Sequence, residues 1–304
     1  MTGADASPGI AATRTTVDRL GFTRRGPGRT GSTARERPCG TYCGPVSSAA
    51  DDVPALALRG LVKRFGQTLA VADLDLGIPA GSFYGVVGPN GAGKTTTLSM
   101  ATGLLVPDAG QARVHGVDVW RQPAQAAPLL GILPDGMRLF DRLTGPELIS
   151  YAGLLRGMAA DVVAARRDDL LAALDLRGGG STLVADYSAG MTKKIALACA
   201  LVHAPRVLVL DEPFEAVDPV SATAIRAILE RFVAAGGTVV MSSHVMALVE
   251  RLCTHVAVVG GGRVLAAGSL DEVRAGQSLE ERFVGLLGGV AETPELSWLR
   301  PSSD

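Results

Sequence analysis

Apolar positions recur at two periods along this chain, and the places where the period changes divide it into blocks. Ala55-Leu56-Ala57-Leu58 predicts a strand, Val62-Lys63-Arg64-Phe65-Gly66 a strand end with a turn, and Ala70 to Leu76 a further strand leading to Pro79-Ala80-Gly81. Ser82 to Val87 is a short apolar strand pattern, and Thr97 to Gly103 reads as a helix ending at a glycine. Gly110 to Val114 and Val117 to Val119 predict two short strands around Gly116. The first block is therefore strand-rich.

Between Leu143 and Ser188 the period becomes helical. Thr144-Gly145-Pro146-Glu147 has the spacing of a capping box and precedes Leu148, Ile149, Tyr151, Ala152 and Leu155. Val162 to Leu176 predicts a second amphipathic helix, with Arg166, Arg167, Asp168 and Asp169 on a solvated face, broken by Gly178-Gly179-Gly180. Residues 188 to 203 predict an apolar helix, and Val207 to Leu210 a strand buried on both faces. Helix 219 to 235 stops at Gly236-Gly237, and Thr238 to Ser242 supplies the next buried strand. His255 to Gly260 and Arg263 to Ala267 read as a hairpin, and Ser269-Leu270-Asp271-Glu272 and Ser278-Leu279-Glu280-Glu281 as capping boxes for two closing helices. Strands alternating with helices predict a largely parallel sheet with covered faces, interrupted by a helical insertion.

Composition narrows the class. The chain has 304 residues, 47% hydrophobic and 19% charged, enough for one large or two modest packed domains. A net charge of -1 and 4% aromatic content give no footprint for nucleic acid. The longest apolar run, Ile195 to Val202, is far below the roughly 18 residues of a membrane span. No secretory start is visible, and Cys39, Cys43, Cys199 and Cys253 form no disulfide framework; the last two fall in apolar helical patterns, as buried free thiols do. A reducing cytoplasm is the expected compartment. Residues 1 to 53 carry seven arginines and no lysine among Gly, Ser, Thr and Pro. They are expected to be disordered, as a loose tail, a transit-peptide-like start or a product of a start codon assigned too far upstream.

Between the Ser82 strand and the following helix lies Gly88-Pro89-Asn90-Gly91-Ala92-Gly93-Lys94-Thr95-Thr96, which fits the phosphate-loop pattern G-x-x-x-x-G-K-S/T. Glycines there let successive N–H groups and a helix N-terminus point at phosphate oxygens. Lys94 places a cation on the outer phosphates, and Thr95 offers its hydroxyl to Mg²⁺. Asp211 and Glu212 end the buried Val207 strand, where a parallel sheet faces its ligand crevice. On their own these carboxylates admit two readings: a magnesium and water site, or the cap of the next helix.

With these motifs in order, residues 55 to 276 resemble the nucleotide-binding subunit of an ABC transporter, most like those of multidrug or ABC-2 type exporters. The resemblance implies an α/β P-loop NTPase core with a mainly parallel sheet, an N-terminal antiparallel β subdomain and an inserted helical subdomain. It places the ATPase domain at 54–276, with the insertion at about 136–190 and a short C-terminal helix and tail at 277–304. It assigns Glu212 as the catalytic carboxylate, Asp211 to Mg²⁺, and Phe65 to the aromatic that stacks on adenine. Tyr187-Ser188-Ala189-Gly190-Met191 is similar to the signature loop, which meets ATP on the opposite subunit. Asp218 in Ala216-Val217-Asp218 is similar to the D-loop residue, and His244 to the switch histidine; a lone histidine is otherwise most simply structural.

This chain departs from the family at Asp135, where a glutamine is usual, and at Ala189 and Met191, where glycine and glutamine are usual. Aspartate can still reach Mg²⁺ but donates no hydrogen bond when ionised. The resemblance further implies ATP and Mg²⁺ as cofactors and a partnership with a second copy or a related ATPase subunit. It also implies a transmembrane permease docked near Asp135 to Leu143, and attachment to the cytoplasmic face of the cell membrane through that permease. Two other functions stay open at this point: a non-transport ABC ATPase working on DNA or ribosomes, and a weakly hydrolysing regulatory module.

Overall fold

A computed structural model describes residues 53–179 and 181–289. Cys39, Cys43 and the expected N-terminal extension up to residue 52 lie outside the described residues.

The first layer is an antiparallel sheet. Strands β1 (Leu56–Phe65) and β2 (Thr68–Ile78) form a hairpin, with Leu56 opposite Ile78 and Phe65 opposite Thr68. In β2, buried Leu74, Leu76 and Ile78 alternate with exposed Asp73, Asp75 and Gly77, the period of a strand with one wet face. Next along the chain come β3 (Phe83–Val87), helix α1 (Lys94–Ala101), and strands β4 (Ala109–Val114) and β5 (Val117–Asp118). β4 pairs with the free edge of β1 and β5 with β4, giving the order β2-β1-β4-β5.

A short α2 (Pro123–Ala126) leads to β6 (Leu130–Leu133), and then α3 (Gly145–Leu155) and α4 (Ala160–Ala173) form the helical insertion. The core resumes with α5 (Ala189–Leu201), β7 (Val207–Leu210), α6 (Pro219–Ala234), β8 (Thr238–Ser243), α7 (Met246–Leu252), β9 (His255–Gly260), β10 (Arg263–Ser269), α8 (Leu270–Arg274) and α9 (Leu279–Leu286). The six-stranded sheet runs β10-β9-β3-β8-β7-β6, parallel except for the β9–β10 hairpin. Its central strands β3, β7 and β8 are buried on both faces and read as largely apolar runs. Phe83, Val87, Leu208, Leu210, Val239 and Met241 face the helices and the insertion. Tyr84, Val86, Val207, Val209 and Val240 face α1 and the antiparallel sheet.

All three expected capping boxes form, at Thr144/Glu147, Ser269/Glu272 and Ser278/Glu281. Three details differ from the sequence expectation. α1 begins at Lys94, three residues before the expected Thr97, because the phosphate loop itself supplies the first turn. α2 and α7 are short helices without a side-chain cap, so no start signal marks them. Cys253 is buried as expected but sits in extended backbone just after α7, whereas Cys199 lies within α5.

Candidate functional site

β3 carries the chain to the carboxyl end of the sheet between β9 and β8, and the loop turns there without room for side chains. A Cβ on Gly88 would lie 2.4 Å from the Val259 carbonyl oxygen, and one on Gly93, at φ +98°, 2.5 Å from the Ala70 carbonyl oxygen. Gly93 is the N-cap of α1, with no side-chain cap and no acidic residue in the first turn, so the helix presents free N–H groups toward the loop. Lys94 is almost fully buried and its Nζ donates to the carbonyls of Gly88 (2.8 Å) and Pro89 (3.3 Å). The cation is therefore held inside the loop, ready to exchange carbonyl contacts for an anion.

The carboxylates occupy the neighbouring strand ends. In the β7–β8 register Leu210 lies opposite Met241, which brings Asp211 beside Ser242. The fully buried Ser242 Oγ donates to Asp211 Oδ1, and the Glu212 N–H donates to the same hydroxyl oxygen at 2.8 Å. Glu212 adopts a left-handed φ of +45°, which turns its side chain out of the strand line, and Lys193 Nζ holds its carbonyl at 3.1 Å. His244 Nδ1 lies 3.1 Å from Glu212 Oε2, and the histidine is half exposed while the glutamate side chain is 14% exposed. The capping alternative for Asp211 and Glu212 does not hold, because Asp218 caps α6 through the N–H groups of Val220 (3.0 Å) and Ser221 (2.9 Å).

These groups converge on an open cleft of about 750 Å³ lined by Gly88 to Thr96, Phe65, Asp135, Glu212 and His244. Phe65 stands half exposed at its wall, with Lys63 Nζ 5.7 Å from the ring centroid. Asp211 is not in the cleft wall but buried behind it. Ser242, Leu69, Glu215, Met246 and Phe283 also serve the site and were not singled out from sequence. For Ser242 the signal was available: pairing the β7 and β8 strand ends puts it next to Asp211.

Ser188, Ala189, Gly190, Met191 and Asp218 lie elsewhere. Ser188 caps α5, accepting from the Met191 N–H at 3.3 Å. A Cβ on Gly190 would fall 2.6 Å from Asp218 Oδ2 and 2.7 Å from Ser221 Oγ, so α5 and α6 meet at their N-termini. Hydrogen bonds from the Ser221 N–H and hydroxyl and from the Val220 N–H hold the Asp218 carboxyl below the usual carboxylate range. None of these five residues lines the cleft of its own chain.

No three His, Cys, Asp or Glu side chains cluster as a metal site among the described residues. Magnesium nevertheless fits here, because it is commonly held by one or two carboxylates and substrate phosphates, and the donors lining the cleft, the Thr95 hydroxyl and the Asp135 carboxylate, are hard oxygens, with the buried Asp211 carboxylate behind them to act through water.

A family model described as "ABC transporter" matches residues 71–215. The daunorubicin resistance ATP-binding protein DrrA3 of Streptomyces coeruleorubidus is 36% identical over 221 residues, spanning 73% of this chain and 70% of that protein. Nod factor export ATP-binding protein I of Cupriavidus pinatubonensis is 35% identical over 237 residues, spanning 77% and 72%. A solved structure described as the ATP binding subunit of an ABC transporter superposes with a TM-score of 0.72 at 28% identity, covering 76% of this chain and 99% of that one.

Proposed function

Because this chain belongs to the ABC transporter family of ATP-binding proteins, we propose that two copies of it close around two ATP molecules and drive a separate membrane permease, in the direction of export. The observation that carries this reading is the separation within one chain. Lys94, Glu212 and His244 line one cleft, while Ser188 and Gly190 lie outside it. A second copy supplies the signature loop that the cleft lacks, with the α5 N-terminus and the Ser188 hydroxyl receiving the outer phosphate.

The loop N–H groups and Lys94 bind the phosphates, and Phe65 stacks against the base. Glu212 orients the attacking water and accepts its proton, while His244, 3.1 Å away, fixes the carboxylate and contacts the γ-phosphate. Thr95, Asp211 and Asp135 would hold Mg²⁺, which supplies neutralisation of phosphate charge when bound.

ABC ATPases work in general as dimers on a permease. The face for that permease is the hollow of about 270 Å³ formed by Leu133 to Met137, Leu139, Thr192, Lys193 and Ala216. Beside it, exposed Phe140 meets Tyr151 edge to face at 5.3 Å, an apolar surface suited to a partner. No helix among the described residues is long and apolar enough to cross a membrane. The permease would therefore hold the chain at the cytoplasmic face. Export is supported by the names of the relatives, one a drug-resistance and one an export ATP-binding protein.

The test is Glu212→Gln in the chain reconstituted with its permease. ATP turnover is expected to fall about 10²–10⁴-fold, with ATP still bound and an ATP-dependent dimer visible by light scattering. Turnover equal to the unmodified chain, or a monomer at saturating ATP, would sink the proposal.

A further inference from the structure

A second large cavity lies at the other end of the sheet. Pro205 and Arg206 enter β7, Gly236 and Gly237 enter β8, and the open hollow they border is flanked by α4, the end of α5 and the last turns of α6. Its volume is about 710 Å³, within the ~300–1,000 Å³ of small-molecule sites.

The cavity is built rather than left over. Its interior is lined by Leu170, Leu201, Ile228 and Phe232. The Phe232 ring packs on the Gly237 backbone so closely that a Cβ there would lie 2.3 Å from it. Arg166 Nη1 donates to the Val202 carbonyl at 2.9 Å and ties α4 to the loop before β7. Two walls are thus fixed by contacts of their own.

The rim carries charge. Arg206 and Arg231 are exposed, and their side chains make no hydrogen bond or ion pair with any described residue, while Arg166 adds a third guanidinium and Asp169 a carboxylate. Burial and the Arg206 charge push the His115 imidazole below its usual value, so the positive field comes from the arginines. Guanidinium groups clustered without enough counter-charge repel one another, and a carboxylate or phosphate binds them in a bidentate fork.

We propose that this cavity binds an amphiphilic anion, with its apolar body among Leu170, Leu201, Ile228 and Phe232 and its head on Arg206 and Arg231. Such a ligand would bridge α4 of the helical insertion to α6 of the core. It is distinct from the nucleotide site at the opposite end of the strands and independent of its assignment.

Calorimetry on the full chain without nucleotide tests this with laurate, dodecyl phosphate and, as a control of equal chain length, dodecyltrimethylammonium, all below micelle formation. Saturable one-to-one binding of either anion and none of the cation is expected; which anion binds more tightly identifies the head group. The double variant R206Q/R231Q should weaken that binding about tenfold to a hundredfold, and Ile228→Trp should block it by filling the interior. Circular dichroism melts check that both variants fold, and if Ile228→Trp does not, the charge variant decides. Equal binding of the cation, unchanged affinity in R206Q/R231Q, or no saturable binding to the folded chain would overturn the proposal.

Discussion

At the carboxyl ends of β3, β7 and β8 the chain offers backbone N–H groups, a buried lysine and two carboxylates, whereas at the amino ends of β7 and β8 it offers guanidinium groups around an apolar hollow. The two spaces are of similar size, about 750 and 710 Å³. Their recognition chemistry differs. The first is built from main-chain geometry, where a side chain on Gly88 or Gly93 would collide with a neighbouring carbonyl, so it binds one kind of group with little latitude. The second is built from side chains, and single exchanges can retune it without disturbing the backbone.

The sharpest way to break this contrast is Lys94→Ala. Loss of a preorganised cation from the phosphate loop should lower turnover about 10²–10³-fold, and ATP should no longer raise the melting temperature; survival of both would show that main-chain groups alone suffice. Gly190→Ala comes next. Its methyl would enter the space of Asp218 and Ser221 and should cost about 1–3 kcal/mol by denaturant melts, with ATP affinity of the monomer unchanged but ATP-dependent dimerisation weakened. Phe65→Ala removes one stacking surface and should weaken ATP about threefold to tenfold in a fluorescent-nucleotide titration, without changing the melting temperature. The amino-end variant R206Q/R231Q should leave ATP affinity within about twofold, since nothing in that cavity touches the phosphate loop.

Acid supplies a further separation. His203, next to the cavity wall, donates from Nε2 to the Leu130 carbonyl (3.0 Å), and burial together with Arg156 and Arg166 depresses its pKa to about 4. An unfolded histidine titrates near 6.5. The folded protein therefore binds the proton less readily, so this contribution to stability is complete above about pH 6.5 and is lost progressively as pH falls toward 4. Thermal melts should show that decline, and His203→Asn should flatten it.

Much of this was legible in the sequence because the strongest signals are local. The phosphate loop, the apolar β7 and β8 runs and the three capping boxes each fix their own backbone, so residue type at fixed spacing is enough. What was not legible depends on partners distant in the chain. Ser242 became part of the site only through the parallel register that sets it beside Asp211, and Phe283 reaches the cleft from α9, far along the chain. The arginine-rimmed cavity escaped for the same reason: Arg166, Arg206 and Arg231 sit on three elements, and Arg166 alone reads as a solvated helix face.

The left-handed backbone at Glu212 has an effect on what selection can do with this protein. A non-glycine residue there gives up about 1–2 kcal/mol, and glycine would recover that conformational cost while deleting the carboxylate. On the proposed role of Glu212 as the catalytic carboxylate, mutational drift toward a sturdier chain runs downhill into an inert one at this position. A library screened only for heat resistance should enrich Glu212→Gly, and one screened for turnover should discard it.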